Sequence, residues 1–363
     1  MVSDWINAYK DPLTCKALAD RIRQISRRPV TFMEVCGTHT VSIFKSGIRN
    51  ILPDHVTLLS GPGCPVCVTP VGDIDAVISM ADDDDVLIAT FGDLMRVPGS
   101  GGSLQEKRAR GADVRMVYSV MDALGLAVKN PSKQVVFVGV GFETTAPVVA
   151  AAIHEARRMR LANFYVYCAH KLTPPAISAV MSSPSCPVEG LLLPGHVAVM
   201  TGADYFRNVA EESHRPCVIT GFEPVDILRG ILELVEAVES GLRSFVNVYE
   251  RAVSPMGNRA AMELMGDVFD IGESRWRGIG ILPGSGLTVS EEYSAFDAVR
   301  AFKLNPGHTP DPPECSCAEI LTGRSLPPAC PLYGTRCTPF HPVGPCMVSG
   351  EGTCAAYYHY DKN

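Results

Sequence analysis

The chain has 363 residues, of which 46% are apolar and 20% charged, with a formal net charge of −7. This composition is globular, it is too acidic for a nucleic-acid surface, and the length calls for two or three domains. No apolar run approaches the ~18 residues of a membrane span, and the start MVSDWINAYKDPLTCK has no uninterrupted apolar stretch of the export-signal kind. A cytoplasmic protein without nucleic-acid or membrane partners is expected.

The first thirty residues are polar and amphipathic, and Leu18, Ile22 and Ile25 keep helical spacing. The apolar stretch TFMEV follows, and then Cys36-Gly37-Thr38-His39-Thr40. A cysteine there is a core thiol or a ligand. The adjoining glycine lets a ligand approach the backbone, and His39 offers a base, a ligand or a turn cap.

From 55 to about 230 the chain alternates short apolar runs with helical stretches. The runs are HVTLLSG, DVLIATFGD, VRMVYS, QVVFVGVGF, NFYVYCAH, GLLLPGH and CVITGF. They do not alternate apolar with polar, as suits strands buried on both faces of a parallel sheet. Helical patterns such as TAPVVAAAIHEARRMR lie between them, giving βαβ spacing. Reactive or glycine-rich loops follow the runs directly, and parallel sheets bind ligands at those strand ends.

Cys64-Pro65-Val66-Cys67 is one such loop. Its spacing suits a redox disulfide or a shared metal, with two inert buried thiols as the plain alternative. Glu143, Thr144 and Thr145 follow QVVFVGVG, where carboxylate and hydroxyls can bond a ligand or position a thiol. GVGFET at 139–144 imitates a dinucleotide fingerprint but has Thr144 in place of the third glycine. His196 ends the run GLLLPGH, a position that favours function over packing. A break near Lys129-Asn130-Pro131-Ser132 divides the strands, giving α/β domains at 52–128 and 129–240.

Beyond 245 the chain is irregular and rich in Gly and Pro. Six of its 13 cysteines lie between 315 and 354. A long chain without an export signal uses clustered cysteines for metal or redox chemistry rather than as a disulfide scaffold. No C-x2-C knuckle of the zinc-ribbon kind occurs in this tail, so an all-thiolate iron–sulfur cluster leads, with zinc or disulfides as alternatives. Cys15, Cys168, Cys186 and Cys217 match no motif and read as buried thiols.

The tail ECSCAEILTG…PPACPLYGTRCTPFHPVGPCMVSGEGTCAAYY resembles that of the HypD family of [NiFe]-hydrogenase maturation factors. So do CGTHT at 36–40, GPGCPVC at 61–67, GFETTAP at 141–147, PGHV at 194–197 and GFEP at 221–224. The resemblance implies that Cys315, Cys330, Cys337 and Cys354 ligate a [4Fe–4S] cluster. It also implies that Cys317 and Cys346 pair near the cluster and that Cys64 and Cys67 are redox-active. Cys36 is then the ligand for the iron of an Fe(CN)2CO assembly intermediate, with His39, Glu143, Thr144 and His196 around the site. The implied partners are the chaperone HypC and the cyanide donor HypE. The implied fold is α/β: two similar small parallel-sheet domains plus a third, mostly irregular or helical iron–sulfur domain formed by 1–51 with 241–363. The competing readings are a nicotinamide-type α/β oxidoreductase with a structural zinc tail, and a non-catalytic metal-binding adaptor.

Overall fold

A computed structural model describes residues 8–361; residues 1–7, which carry part of the expectation of no export signal, lie outside the described residues. Among the described residues there are eleven strands: β1 (Val30–Glu34), β2 (Val56–Ser60), β3 (Val86–Thr90), β4 (Val114–Met116), β5 (Gln134–Gly139), β6 (Phe164–Cys168), β7 (Gly190–Pro194), β8 (Cys217–Thr220), β9 (Phe245–Asn247), β10 (Phe269–Trp276) and β11 (Gly280–Val289). Each of the seven apolar runs contains one of the strands β2 to β8. No helix among the described residues is long and apolar enough to cross a membrane.

Two parallel sheets organise the chain. One has the order β2-β1-β7-β8-β9 and the other β4-β3-β5-β6. The α/β class with parallel-sheet domains therefore holds. The strands are shared out differently from the expected boundaries, and this corrects them. The break at 129 falls inside the second sheet, between β4 and β5. β1, assigned to the third domain, is the second strand of the first sheet. The chain makes β1 and β2, leaves to build the whole second sheet, and returns with β7. Strand pairing depends on which edge the returning chain meets, and periodicity carries no information about that.

Burial explains the strand sequences. β3 and β7 are buried at every position, so their runs are apolar on both faces. Helix Pro224–Glu239 seats Ile227, Leu228, Ile231, Leu234 and Val235 against Phe32, Leu58 and Val218 of the first sheet. Helix Ala146–Arg158 covers the second sheet with Ala146, Val149, Ala150 and Ile153, whose small side chains let it sit close to Phe137 and Val166.

β10 and β11 form an antiparallel hairpin, which no expectation covered. Its end, with Trp276, packs into an apolar cluster shared by Cys64, Cys67 and the tail cysteines Cys317, Cys330, Cys337, Cys346 and Cys354. The tail is otherwise short helices and turns. Its last helix, Thr353–Tyr360, lies against helix Gly37–Lys45 through an edge-on Phe44–Tyr357 contact at 4.7 Å.

Candidate functional site

Both sheets change direction at one point. In the first, the chain runs outward in opposite senses from β1 and β7; in the second, from β3 and β5. Such switch points leave a crevice at the carboxyl ends of the strands. The two crevices face one cavity of about 600 Å³, lined by Thr38, Gly63, Phe91, Asp93, Phe142, Thr144, Thr145, His196, Phe222 and Glu351 among others.

Cys36 follows β1 at the start of helix Gly37–Lys45, and its Sγ lies 3.6 Å from His196 Nδ1. Burial pushes the Cys36 thiol well up, so it is protonated at rest. Behind it Glu34 is buried; Oε2 accepts the Cys36 N–H at 3.0 Å and Oε1 the Thr40 hydroxyl at 2.5 Å. Burial raises the Glu34 carboxyl to about 7 against the pull of its hydrogen bonds.

Two loops meet at this cysteine. Gly37 N–H donates to Gly63 O at 3.0 Å. A Cβ on Gly63 would lie 2.2 Å from Cys36 N, so only glycine allows the contact. The Gly63 loop leads into Cys64 and Cys67, which form a disulfide with Cα atoms 5.2 Å apart. Cys67 Sγ lies 4.0 Å from Pro345 O, next to Cys346, so the tail adjoins the C-x2-C loop. The tail also reaches Cys36's own helix, where Thr38 Oγ1 donates to Glu351 Oε1 at 2.7 Å.

The six tail cysteines line one apolar pocket with Ile320, Leu332, Tyr333 and Met347. Cys317 and Cys346 hold their sulfurs 2.9 Å apart. The Cys317 thiol is held well below the ordinary range, chiefly by Cys315 and then by Cys346. Among the described residues no three His, Cys, Asp or Glu groups converge as a single-ion site requires. The six thiols around this apolar pocket are of the ligand kind that a [4Fe–4S] cluster takes, and such a cluster takes four.

The other expected residues divide. Thr144 and His196 line the cavity. His39 is buried with its Nε2 on Gly221 O at 2.9 Å, its ring tilted on Phe222 at 4.7 Å. It braces the β8 loop and does not line the cavity. Glu143 also turns away: Oε1 accepts from Thr173 N–H at 2.6 Å, Thr173 Oγ1 at 3.1 Å and Tyr205 OH at 2.8 Å. Burial raises its carboxyl, and Oε1 anchors the loop through these three bonds. Of the leftover thiols only Cys217 is buried; Cys15, Cys168 and Cys186 are half-buried.

The reading from sequence missed Glu351, Asp93 and Phe222. Phe222 sits between His39 and His196, 5.3 Å from the latter ring. Its signal was the quoted GFEP motif, and that of Glu351 was the EGTC run ahead of Cys354. The dinucleotide alternative fares poorly here. Cβ positions on Gly139 and Gly141 are already filled by His170 and Thr145, which leaves the backbone no face for a pyrophosphate.

Burial depresses His39 and His196 to about 4 and His170 to about 3, from an ordinary 6.5. Each is neutral when folded and takes a proton more readily when unfolded. Their contribution to stability is full above pH 6.5 and is lost as pH falls toward 4 and then 3. Thermal unfolding across this range is expected to show a falling midpoint, and His170→Gln is expected to flatten the fall.

A family model described as "HypD: Hydrogenase formation hypA family" matches residues 13–361. The chain is similar to the hydrogenase maturation factor HypD of Escherichia coli (strain K12), 42% identical over 98% of each chain. It is similar to the HypD of Cupriavidus necator, 42% identical over 99% of this chain and 97% of the relative. It is similar also to the hydrogenase maturation factor HypD2 of Bradyrhizobium diazoefficiens, 43% identical over 99% of this chain and 97% of the relative. With the motifs in order and matches spanning nearly the whole sequence, the chain belongs to the HypD family of hydrogenase maturation factors.

Proposed function

We propose that this protein is the cytoplasmic scaffold and redox centre on which the Fe(CN)2CO group of [NiFe]-hydrogenase is assembled, working with HypC and HypE. The observation that carries the reading is one continuous chain of sulfur sites. Cys36 is buried beside His196, which lines the cavity, the Cys36 loop is hydrogen-bonded to the disulfide loop, and that loop adjoins the six-thiol pocket.

Iron is the cargo. Soft thiolate suits low-spin iron carrying cyanide and carbon monoxide. Binding replaces the Cys36 proton, and His196 Nδ1, neutral and 3.6 Å from Sγ, stands where that proton leaves. Thr144 and Thr145 offer hydroxyls to diatomic ligands from the opposite sheet.

Release of cyanide from a carrier and addition of CO both call for electrons. A [4Fe–4S] cluster held by Cys315, Cys330, Cys337 and Cys354 would supply them singly. The chain's own thiols carry pairs. Attack by the Cys317 or Cys346 thiolate on the Cys64–Cys67 disulfide forms one mixed S–S bond and frees one thiol. Attack by the second thiol closes Cys317–Cys346 and leaves Cys64 and Cys67 reduced, so two electrons have moved.

Infrared spectra of the protein purified with its chaperone test this reading. Cyanide and CO stretching bands are expected in the window where protein does not absorb. A chaperone complex that holds iron but shows no such bands would overturn it.

A further inference from the structure

Arg277, at the end of β10, is buried, yet no part of the function proposed above employs it. Its backbone N–H donates to Val68 O at 2.8 Å. Its Nε donates to Thr69 O at 2.8 Å and its Nη1 to Asp311 Oδ1 at 2.8 Å. Val68 and Thr69 are the two residues that follow Cys67 at the end of the short helix Pro65–Val68. Nη2 is buried and has no partner among the described residues.

The neighbouring residue shows what the segment does. Gly278 has a positive φ of 78°, and a Cβ there would lie 2.6 Å from Ala318 Cα. The hairpin end is therefore wedged between the helix that carries Cys67 and helix Cys317–Leu321. Trp276 and Ile279 pack into the same cluster as Cys64, Cys67, Cys317 and Cys346. A guanidinium fixed in this apolar interior is screened little by solvent, and among the described residues one carboxylate, Asp311, pairs with it. Burying this cation carries a desolvation cost, which its bonds to Thr69 O and Asp311 offset.

We infer that Arg277 is a positioning residue for the thiol relay: it ties the Cys64–Cys67 helix to the tail and, by its charge, favours the reduced form of that pair. The inference rests on the redox reading of Cys64 and Cys67. A cation bonded to the chain two residues after Cys67 stabilises thiolate over disulfide sulfur, which makes the pair easier to reduce. Asp311 sets how much of that charge is felt.

The test equilibrates the full-length protein with graded ratios of reduced and oxidised dithiothreitol. The Cys64–Cys67 bond accepts two electrons and two protons from the reagent's two thiols, whose own S–S bond closes. After acid quench, the oxidised fraction of that pair is read by isotope-coded alkylation and peptide mass spectrometry. Arg277→Met is expected to lower the equilibrium constant for reduction about tenfold, and Asp311→Asn to raise it about threefold. Arg277→Lys, which keeps the charge, should stay near the parent value. If Arg277→Met does not fold, Asp311→Asn decides alone. An unchanged constant in Arg277→Met, or a fall in Asp311→Asn, overturns the inference while the relay stands. A parent pair that excess dithiothreitol does not reduce overturns the relay, and the inference with it.

Discussion

A Cys36→Ala protein, purified with its chaperone, is expected to lack the cyanide and CO stretching bands altogether while keeping the visible absorption of the tail. That absorption, at about 400 nm for thiolate-to-iron charge transfer, should still bleach with dithionite. The two readouts separate because the two sites use different sulfurs. Cys36 stands just after β1, behind the cavity residue His196, whereas the six tail thiols line their own pocket. Removing a supporting hydrogen bond around a metal costs ~10–100-fold in affinity, and removing the thiolate itself must cost more. His196 alone does not replace it, since a neutral imidazole lacks the charge of the thiolate. Alanine fills the site without strain, because Cys36 has extended backbone and its side chain makes no capping bond. Bands that persist in the variant would remove Cys36 as the ligand.

Gly63→Ala is expected to have the second largest effect, and for a purely geometric reason. The new methyl would sit 2.2 Å from Cys36 N and 2.4 Å from both Cys36 Cα and Val35 C. Those are backbone atoms at the end of a buried strand, so no side-chain rotation relieves the clash. The loops must part, and the Gly37 N–H to Gly63 O bond breaks with them. Overpacking of this kind typically costs 1–3 kcal/mol, and roughly 3 kcal/mol is expected here. Urea unfolding measures that cost. The variant should also fail to build the iron group although every cysteine is present, because Cys36 and Cys64 no longer share one loop junction. Wild-type infrared bands in a Gly63→Ala protein would show that close approach of the two loops is not needed.

The legible part of this protein was local. Runs such as DVLIAT and GLLLP are buried on both faces, and burial of that kind leaves a direct mark on composition. That the tail cysteines form one group was legible because six of them fall within forty positions, and they line one pocket. Histidines were less legible. His39 and His196 both follow strands, yet only His196 lines the cavity. His39 lies on the inner side of its helix and bonds Gly221 O. Glu143 was chosen for its chemistry, and its carboxyl points to Thr173 and Tyr205 instead. Direction depends on the helix and loop that pack behind a residue, and those come from distant parts of the chain.

The α/β class and the family were readable from sequence, because each depends on residue type at short spacing. Which strands share a sheet was not readable, since a returning chain takes its edge by packing. The tertiary structure alone brought Cys67 to within 4.0 Å of Pro345 O, across 278 positions of sequence. It alone placed Arg277 between the two thiol pairs. No local pattern encodes such contacts; they exist because the hairpin and tail bury a common apolar surface against the disulfide loop.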